Sequence, residues 1–441
     1  MKRKLSLKGA TCTLGVFLFL GISVSAAEYV LDVKTDRPEA LYSTGEKIKF
    51  KVLLTEDGKP VSGKTVNYSI ARDGARETTR GKITSSEEPA VIETVMENPG
   101  FALFTAAFSD ENGKRITGLA GAGADPLKIK PGFELKDDFD KFWDGKKEEL
   151  NKLPLEIKMD PVAVPPSLKG KVECFDIKVN CVGGKPVSGY FARPVNAAKQ
   201  SLPAIVTYHG AGVRSAGKDG ICNSAARGML ALDINAHGID NGKPQEYYKN
   251  LNGTSLKHYS HFDSGDREKC YFLGMLQRVY RSLQFIKSQP EWDGKYLIVR
   301  GGSQGGGQSI AAAGLDPQVT FCAAFVPALC DHYGYLAKRP NGWPRFIELG
   351  KDGKPKKEDV VNTSKYFDGV NFASRIKAEV VFTVGFIDTT CCPSSVYAAY
   401  NSVPGKKQII NNPLSGHGSP PETTKKVSQI IDEYIKTCGK K

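Results

Sequence analysis

Residues 301–305 read Gly-Gly-Ser-Gln-Gly, a G-x-S-x-G run. An apolar, strand-like stretch, 296–299, leads into it, and a helical pattern at 309–315 follows. This spacing predicts a strand–turn–helix with Ser303 at the tip. In so tight a turn, flanking Cβ atoms would collide, and glycine removes them. The serine Oγ is then held at the carboxyl edge of a sheet, and the backbone N–H of Gln304 faces a developing oxyanion. The competing reading is a glycine-rich turn with an idle serine.

A serine hydroxyl needs a base to become a nucleophile. The chain has six histidines, at 209, 237, 258, 261, 332 and 417. Hydrolases with this elbow run Ser, then Asp or Glu, then His along the chain. That order leaves His332 and His417. His332 comes too soon after the elbow to leave room for an acid-bearing strand. His417, in Ser415-Gly416-His417-Gly418, precedes the last helical pattern and is the candidate base. Asp388 follows the apolar run 380–386 and is the candidate acid, which holds the imidazole tautomer and stabilises the imidazolium. The second oxyanion donor is expected after an early strand, so the Ala211 N–H in Tyr208-His209-Gly210-Ala211 is paired with that of Gln304. His209 reads as a residue that shapes this loop.

These residues need a scaffold. From about residue 170, short apolar runs (204–208, 229–234, 296–299, 321–326, 380–386) alternate with helical patterns such as 271–286, and a final helix carries Val427, Ile430, Ile431 and Tyr434. Alternation of this kind implies an α/β fold with a mostly parallel sheet flanked by helices. Residues 28–125 differ. Ile48, Phe50, Val52 and Leu54 alternate with polar neighbours, as do Val66, Tyr68 and Ile70, and turn residues separate them. That pattern predicts a small all-β, Ig-like sandwich. The stretch holds neither His nor Cys, so it reads as a packing or binding module. A linker is expected from Gly121 to Gly132, then a helix over 137–152 with Asp137 or Asp138 as its N-cap.

The chain starts with a basic segment, Met-Lys-Arg-Lys-Leu-Ser-Leu-Lys, then an apolar run over 13–24 and small residues at 25–27. This reads as a signal peptide over 1–26, which places the protein outside the cytoplasm, in periplasm or medium. Its removal takes four basic residues and lowers the formal charge from +13 to +9. The remaining lysines are scattered, which argues against nucleic acid as a partner. No other stretch has the length of a membrane span. Nine cysteines follow the leader, at 174, 181, 222, 270, 322, 330, 391, 392 and 438, with no zinc-ligand spacing. Some pairing and free buried thiols both stay open, and so does self-association into a homo-oligomer.

With these residues in place, residues 133–438 resemble the acetyl xylan esterase / cephalosporin C deacetylase family. The resemblance rests on Asp138-Phe-Asp-Lys-Phe-Trp143, Pro203-Ala-Ile-Val-Thr-Tyr-His-Gly210, Gly301-Gly-Ser-Gln-Gly-Gly-Gly307 and Asp388-Thr-Thr-Cys391 through Asn401. It implies an α/β-hydrolase fold and hydrolysis of acetyl esters on xylo-oligosaccharides and small acetylated molecules. It carries over Ser303 as nucleophile, Asp388 as acid, His417 as base, and the Ala211 and Gln304 N–H groups as oxyanion donors. It implies no cofactor and no metal. Two positions depart from the family: His237-Gly238-Ile239 stands where the family has Arg-Gly-Gln, and Gly418 where it has Glu. That Arg and Glu resemble a buried ion pair. Losing one partner strands a charge, whereas losing both can be neutral. The expected activity is removal of acetyl groups from xylan-type carbohydrates through an acyl-enzyme. A prolyl-oligopeptidase-like peptidase, a broad carboxylesterase and an inactive carbohydrate-binding protein are the alternatives.

Overall fold

The computed structural model describes residues 28–72 and 78–438, so the leader expected over residues 1–26 lies outside the described residues. Nine strands come first: β1 (Tyr29–Thr35), β2 (Leu41–Tyr42), β3 (Lys47–Glu56), β4 (Lys59–Pro60), β5 (Thr65–Arg72), β6 (Thr78–Thr84), β7 (Ala90–Val95), β8 (Gly100–Ser109) and β9 (Arg115–Ala124). Strands β1, β3, β4 and β7 make one sheet, and β2-β9-β8-β5-β6 make a second. The period-2 alternation read from β3 turns Ile48, Phe50, Val52 and Leu54 inward, into one core with Val66, Ile70, Phe104 and Phe108. The Phe50 and Phe104 rings stack at 4.8 Å.

The linker expected from Gly121 is not there. Residues 121–124 are the end of β9 and are buried. Their small side chains serve close packing: a Cβ on Gly121 would lie 2.4 Å from the Phe386 carbonyl oxygen. The connection to the second part starts at Asp125, and Asn401 Nδ2 donates to the carbonyls of Pro126 and Ile129 at 3.0 and 2.8 Å.

The helix expected over 137–152 is α1 (Phe139–Lys152). Asp138 occupies its N-cap position but makes no cap bond; its carboxylate accepts from Tyr366 Oη at 2.6 Å and from Arg267 at 3.0 Å. Strands β10 (Ile157–Pro161), β11 (Val172–Val179), β12 (Val187–Pro194) and β13 (Leu202–Tyr208) follow. Then come α2 (Lys218–Ala226), β14 (Leu230–Ile234), α3 (Gln245–Gly253), α4 (Tyr271–Lys287), β15 (Trp292–Gly302), α5 (Gln304–Leu315) and β16 (Phe321–Phe325). The chain ends with α6 (Glu358–Ser364), α7 (Gly369–Ala373), β17 (Glu379–Gly385), α8 (Pro393–Ser402), β18 (Lys407–Asn412) and α9 (Pro421–Cys438).

The nine strands β10 to β18 form one sheet in the order β10-β11-β12-β14-β13-β15-β16-β17-β18. From β14 to β18 all neighbours are parallel, and the β10–β12 end is antiparallel. Successive residues of each strand serve opposite faces. Val206 and Val299 pack with Leu276 and Val279 of α4, whereas Ile205 and Ile298 pack with Ile221 of α2 and Val427 of α9. This is the α/β-hydrolase architecture, with helices on both faces. Among the described residues, Cys174, Cys181, Cys222, Cys270, Cys322, Cys330, Cys391 and Cys392 are free thiols, all buried. No described helix is long and apolar enough to cross a membrane.

Candidate active site

Ser303 sits between β15 and α5 with φ 57° and ψ −122°, a conformation that L-residues rarely adopt. The turn closes so tightly that a Cβ on Gly301 would lie 2.4 Å from the Gly305 carbonyl oxygen, and one on Gly305 would lie 2.0 Å from that of Tyr208. The glycines at these two positions are therefore what the elbow requires. Ser303 N–H donates to Phe325 O at 2.8 Å, and Ser303 O accepts from Ala328 N at 2.9 Å, which ties the elbow to the neighbouring strand.

His417 reaches Ser303 from the loop between β18 and α9. The Ser303 hydroxyl donates to His417 Nε2 at 2.9 Å, and His417 Nδ1–H donates to Asp388 Oδ2 at 2.8 Å. Asp388 is 3 % exposed, and its other oxygen accepts from the backbone N–H of Thr390 and Cys391 at 2.7 and 2.9 Å. Both carboxylate oxygens are thus committed. The loop is held against the end of β17: Ile387 N donates to Ser415 O at 3.2 Å, and a Cβ on Gly385 would lie 2.3 Å from that same oxygen. The structure thus brings together the serine, histidine and aspartate expected to share chemistry.

The loop expected to carry the second oxyanion donor packs on the elbow. A Cβ on Gly210 would be 3.3 Å from Gly302 O and 3.5 Å from Ser303 Cβ. Ala211 follows, and Gln304 is the first residue of α5, where backbone N–H groups lack intrahelical acceptors and the helix dipole favours negative charge. His209 shapes this loop: Nδ1–H donates to Gly210 O at 2.7 Å and Nε2 accepts from Ala236 N at 3.3 Å. Burial pulls its pKa down to about 4, so the ring is neutral.

Tyr259 and Tyr271, which no sequence signal marked, and His237, noted only as a departure from the family, complete the loop's anchorage. Tyr259 Oη accepts from Gly212 N at 3.2 Å and donates to Gln304 Oε1 at 2.8 Å. Burial raises the Tyr259 pKa, which keeps the proton it donates. His237 Nε2–H donates to Gly212 O at 3.2 Å, and its Nδ1 accepts from Tyr271 Oη at 2.8 Å. Gly212, at φ 115°, is thereby gripped at both its N–H and its C=O.

Cys391 lies beside Ser303, but burial first, and the Asp388 charge second, push its thiol well above its ordinary pKa. It is no rival nucleophile near neutral pH. Asp388, Cys391 and His417 are a group of possible metal-ligand atoms within 4.8 Å of one another. The carboxylate and imidazole among them are already bonded to each other and to Ser303.

The acetyl xylan esterase family model matches residues 127–431, well over half of the chain. The chain belongs to the acetyl xylan esterase family. It is a carboxylic-ester hydrolase of α/β-hydrolase fold. The acetyl esterase Axe7A of Xylanibacter ruminicola is 31% identical over 402 residues, covering 90% of this chain and 89% of the relative. That span is longer than the family match and so takes in part of the β-module. The acetyl xylan esterase from Paenibacillus sp. R4 is similar in structure, with a TM-score of 0.59 and 29% identity, covering 70% of this chain and 98% of that one. Acetyl xylan esterase 1 of Thermoanaerobacterium sp. JW/SL YS485 shares the fold at a TM-score of 0.59 and 24% identity, over 69% and 96% of the two chains.

The two departures noted in the sequence have a physical reading in this esterase. His237 is 2 % exposed, and burial lowers its pKa to about 3, so a neutral ring stands where the resemblance implies an arginine. A Cβ on Gly418 would face open space. Neither position leaves a stranded charge.

Proposed function

We propose that this esterase is an exported serine hydrolase that removes acetyl groups from xylan-type oligosaccharides through an acetyl-enzyme. The observation that carries the reading is the continuous hydrogen-bond chain from Ser303 Oγ through His417 to Asp388. As Oγ attacks the acetyl carbonyl, its proton passes to His417 Nε2. The carbonyl oxygen becomes an oxyanion, held by the N–H groups of Ala211 and Gln304; one such donor contributes ~3 kcal/mol. The C–O bond to the sugar breaks, and the departing sugar oxygen takes the proton from His417. Water then attacks acetyl-Ser303, giving its proton to His417. Acetic acid leaves as that proton returns to Oγ, and it gives up its remaining proton to solvent as acetate. Asp388 stays ionised throughout and steadies the imidazolium.

The test is acetate release from acetylated xylo-oligosaccharides by the wild type and by Ser303→Ala. Release by the wild type, with loss of ~10⁶-fold in kcat in the variant, is expected. Equal turnover by the two proteins would overturn the reading, and cleavage of a prolyl peptide without acetate release would redirect it to a peptidase. Export rests on residues 1–26; N-terminal sequencing of protein recovered outside the cytoplasm should begin at residue 27 or 28.

A further inference from the structure

The proposed reaction draws on no group of the β-module. Its strand β8 turns Ala102, Phe104, Ala106 and Phe108 into the module's own core. The alternate residues Phe101 and Leu103 therefore lie on the outer face. Opposite them on β9, in register, stand Gly123 and Gly121. The hydrolase part approaches over Gly121, through Phe386, and the Phe101 ring lies over Gly123. The Phe101 ring is 4.8 Å from that of Phe386 and 5.5 Å from that of Tyr397, and Phe101 is buried in the same cluster as both.

Beside this seam the outer face of β8 leaves a cavity of about 80 Å³. Phe101 and Leu103 form one side, and Phe386 and Pro393 give it further apolar surface. Arg345 and Thr389, both exposed, line it with polar groups, and Arg345 donates to the Thr389 carbonyl at 3.4 Å. Asp388 itself is in the lining. The cavity thus lies against the acid loop, and neither Ser303 nor His417 is among the residues that line it.

A pyranose ring has the matching chemistry: an apolar C–H face and an edge of hydroxyls. We infer that this cavity is the floor of a carbohydrate subsite, built jointly by the β-module and the acid loop, against which a sugar unit of the acetylated oligosaccharide rests. The inference rests on the proposed deacetylase activity for its substrate. It makes the module part of the substrate surface, where it favours acetylated chains over small acetyl esters. An apolar residue continues the face outward: Leu119, paired with Thr105 of β8, is 39 % exposed.

The experiment uses the full chain. Leu103→Asp places a charge on the apolar wall, and Arg345→Ala removes the polar donor; thermal melts establish that each folds. Each variant is expected to lose about tenfold in kcat/KM on acetylated xylo-oligosaccharides, through KM, while 4-nitrophenyl acetate turnover stays at the wild-type level. Unchanged kinetics on both substrates, or equal losses on both, would overturn the subsite. Calorimetric titration of unacetylated xylotetraose into Ser303→Ala separates this idea from the catalytic reading. Binding that Leu103→Asp abolishes supports the subsite even if acetate release fails; no binding, or binding that Leu103→Asp leaves intact, sinks it even if acetate release succeeds.

Discussion

The hydroxyl of Tyr259 donates a 2.8 Å hydrogen bond to Oε1 of Gln304, the residue after Ser303. The Tyr259 hydroxyl oxygen also accepts from the N–H of Gly212, next to Ala211, so one phenol fixes the spacing between the two proposed oxyanion donors. Tyr259→Phe leaves the partly buried Gly212 N–H and the buried Gln304 Oε1 without that partner, a loss of ~1–3 kcal/mol for the buried oxygen. With 4-nitrophenyl acetate, kcat should fall about tenfold or more while KM holds. A rise in KM at constant kcat would show that Tyr259 contacts the ground state instead.

Asp388→Asn keeps the size of the side chain and can still accept from Thr390 and Cys391 N–H. It removes the acceptor that fixes the proton on His417 Nδ1. The imidazole then favours the wrong tautomer, and kcat should fall by about 10⁴-fold. Steady-state kinetics alongside a melting curve checks this; an active Asn variant would remove Asp388 from the mechanism.

Gly385 and Gly418 flank the same histidine loop with opposite tolerances. A Cβ at Gly385 would meet the carbonyl oxygens of Ser415 and Gly416 at 2.3 and 2.5 Å, whereas one at Gly418 meets open space. Gly385→Ala should cost ~1–3 kcal/mol of stability and displace His417, lowering kcat. Gly418→Ala should leave both near wild type. Paired melting and kinetic measurements decide it, and a harmless Gly385→Ala would show that the loop does not need this approach.

Asp233 is buried at the end of β14, and among the described residues its Oδ1 has no partner. Burial raises its pKa from 3.8 to about 7. The folded state thus holds this proton more tightly than the unfolded state does. The resulting stability is complete below pH 4 and is lost as pH rises through 7. Asp233→Asn cannot ionise, so its Tm relative to wild type should be higher at pH 8.5 than at pH 5. A pH-independent difference would mean that Asp233 does not titrate in this range.

Much of this molecule could be read from its sequence because some constraints are local. The elbow demands glycine at positions 301 and 305, and the apolar runs of the parallel strands declare burial on both faces. Chain order then pointed from Ser303 to Asp388 and His417. Tyr259, Tyr271 and the grip of His237 were illegible, because they act across loops with no periodicity. The Gly121 segment differs from its expected linker for another reason: glycine density looks the same in a free linker and in a strand that must let another backbone come close. Strand β10 gave no signal because it lies at a sheet edge with residues that are mostly exposed.

The contact between Gly121 and Phe386 has a consequence for how the chain melts and how it could be recombined. Ala40 and Phe101 are buried in one cluster with Phe386 and Tyr397, so neither part can lose its packing without exposing the other. The protein should therefore show a single cooperative calorimetric transition, and a protease cut near residue 125 should not release two stable halves. For the same reason the module is no interchangeable cassette: a graft between relatives must carry both sides of the seam, glycine with phenylalanine, or arrive with a misplaced acid loop.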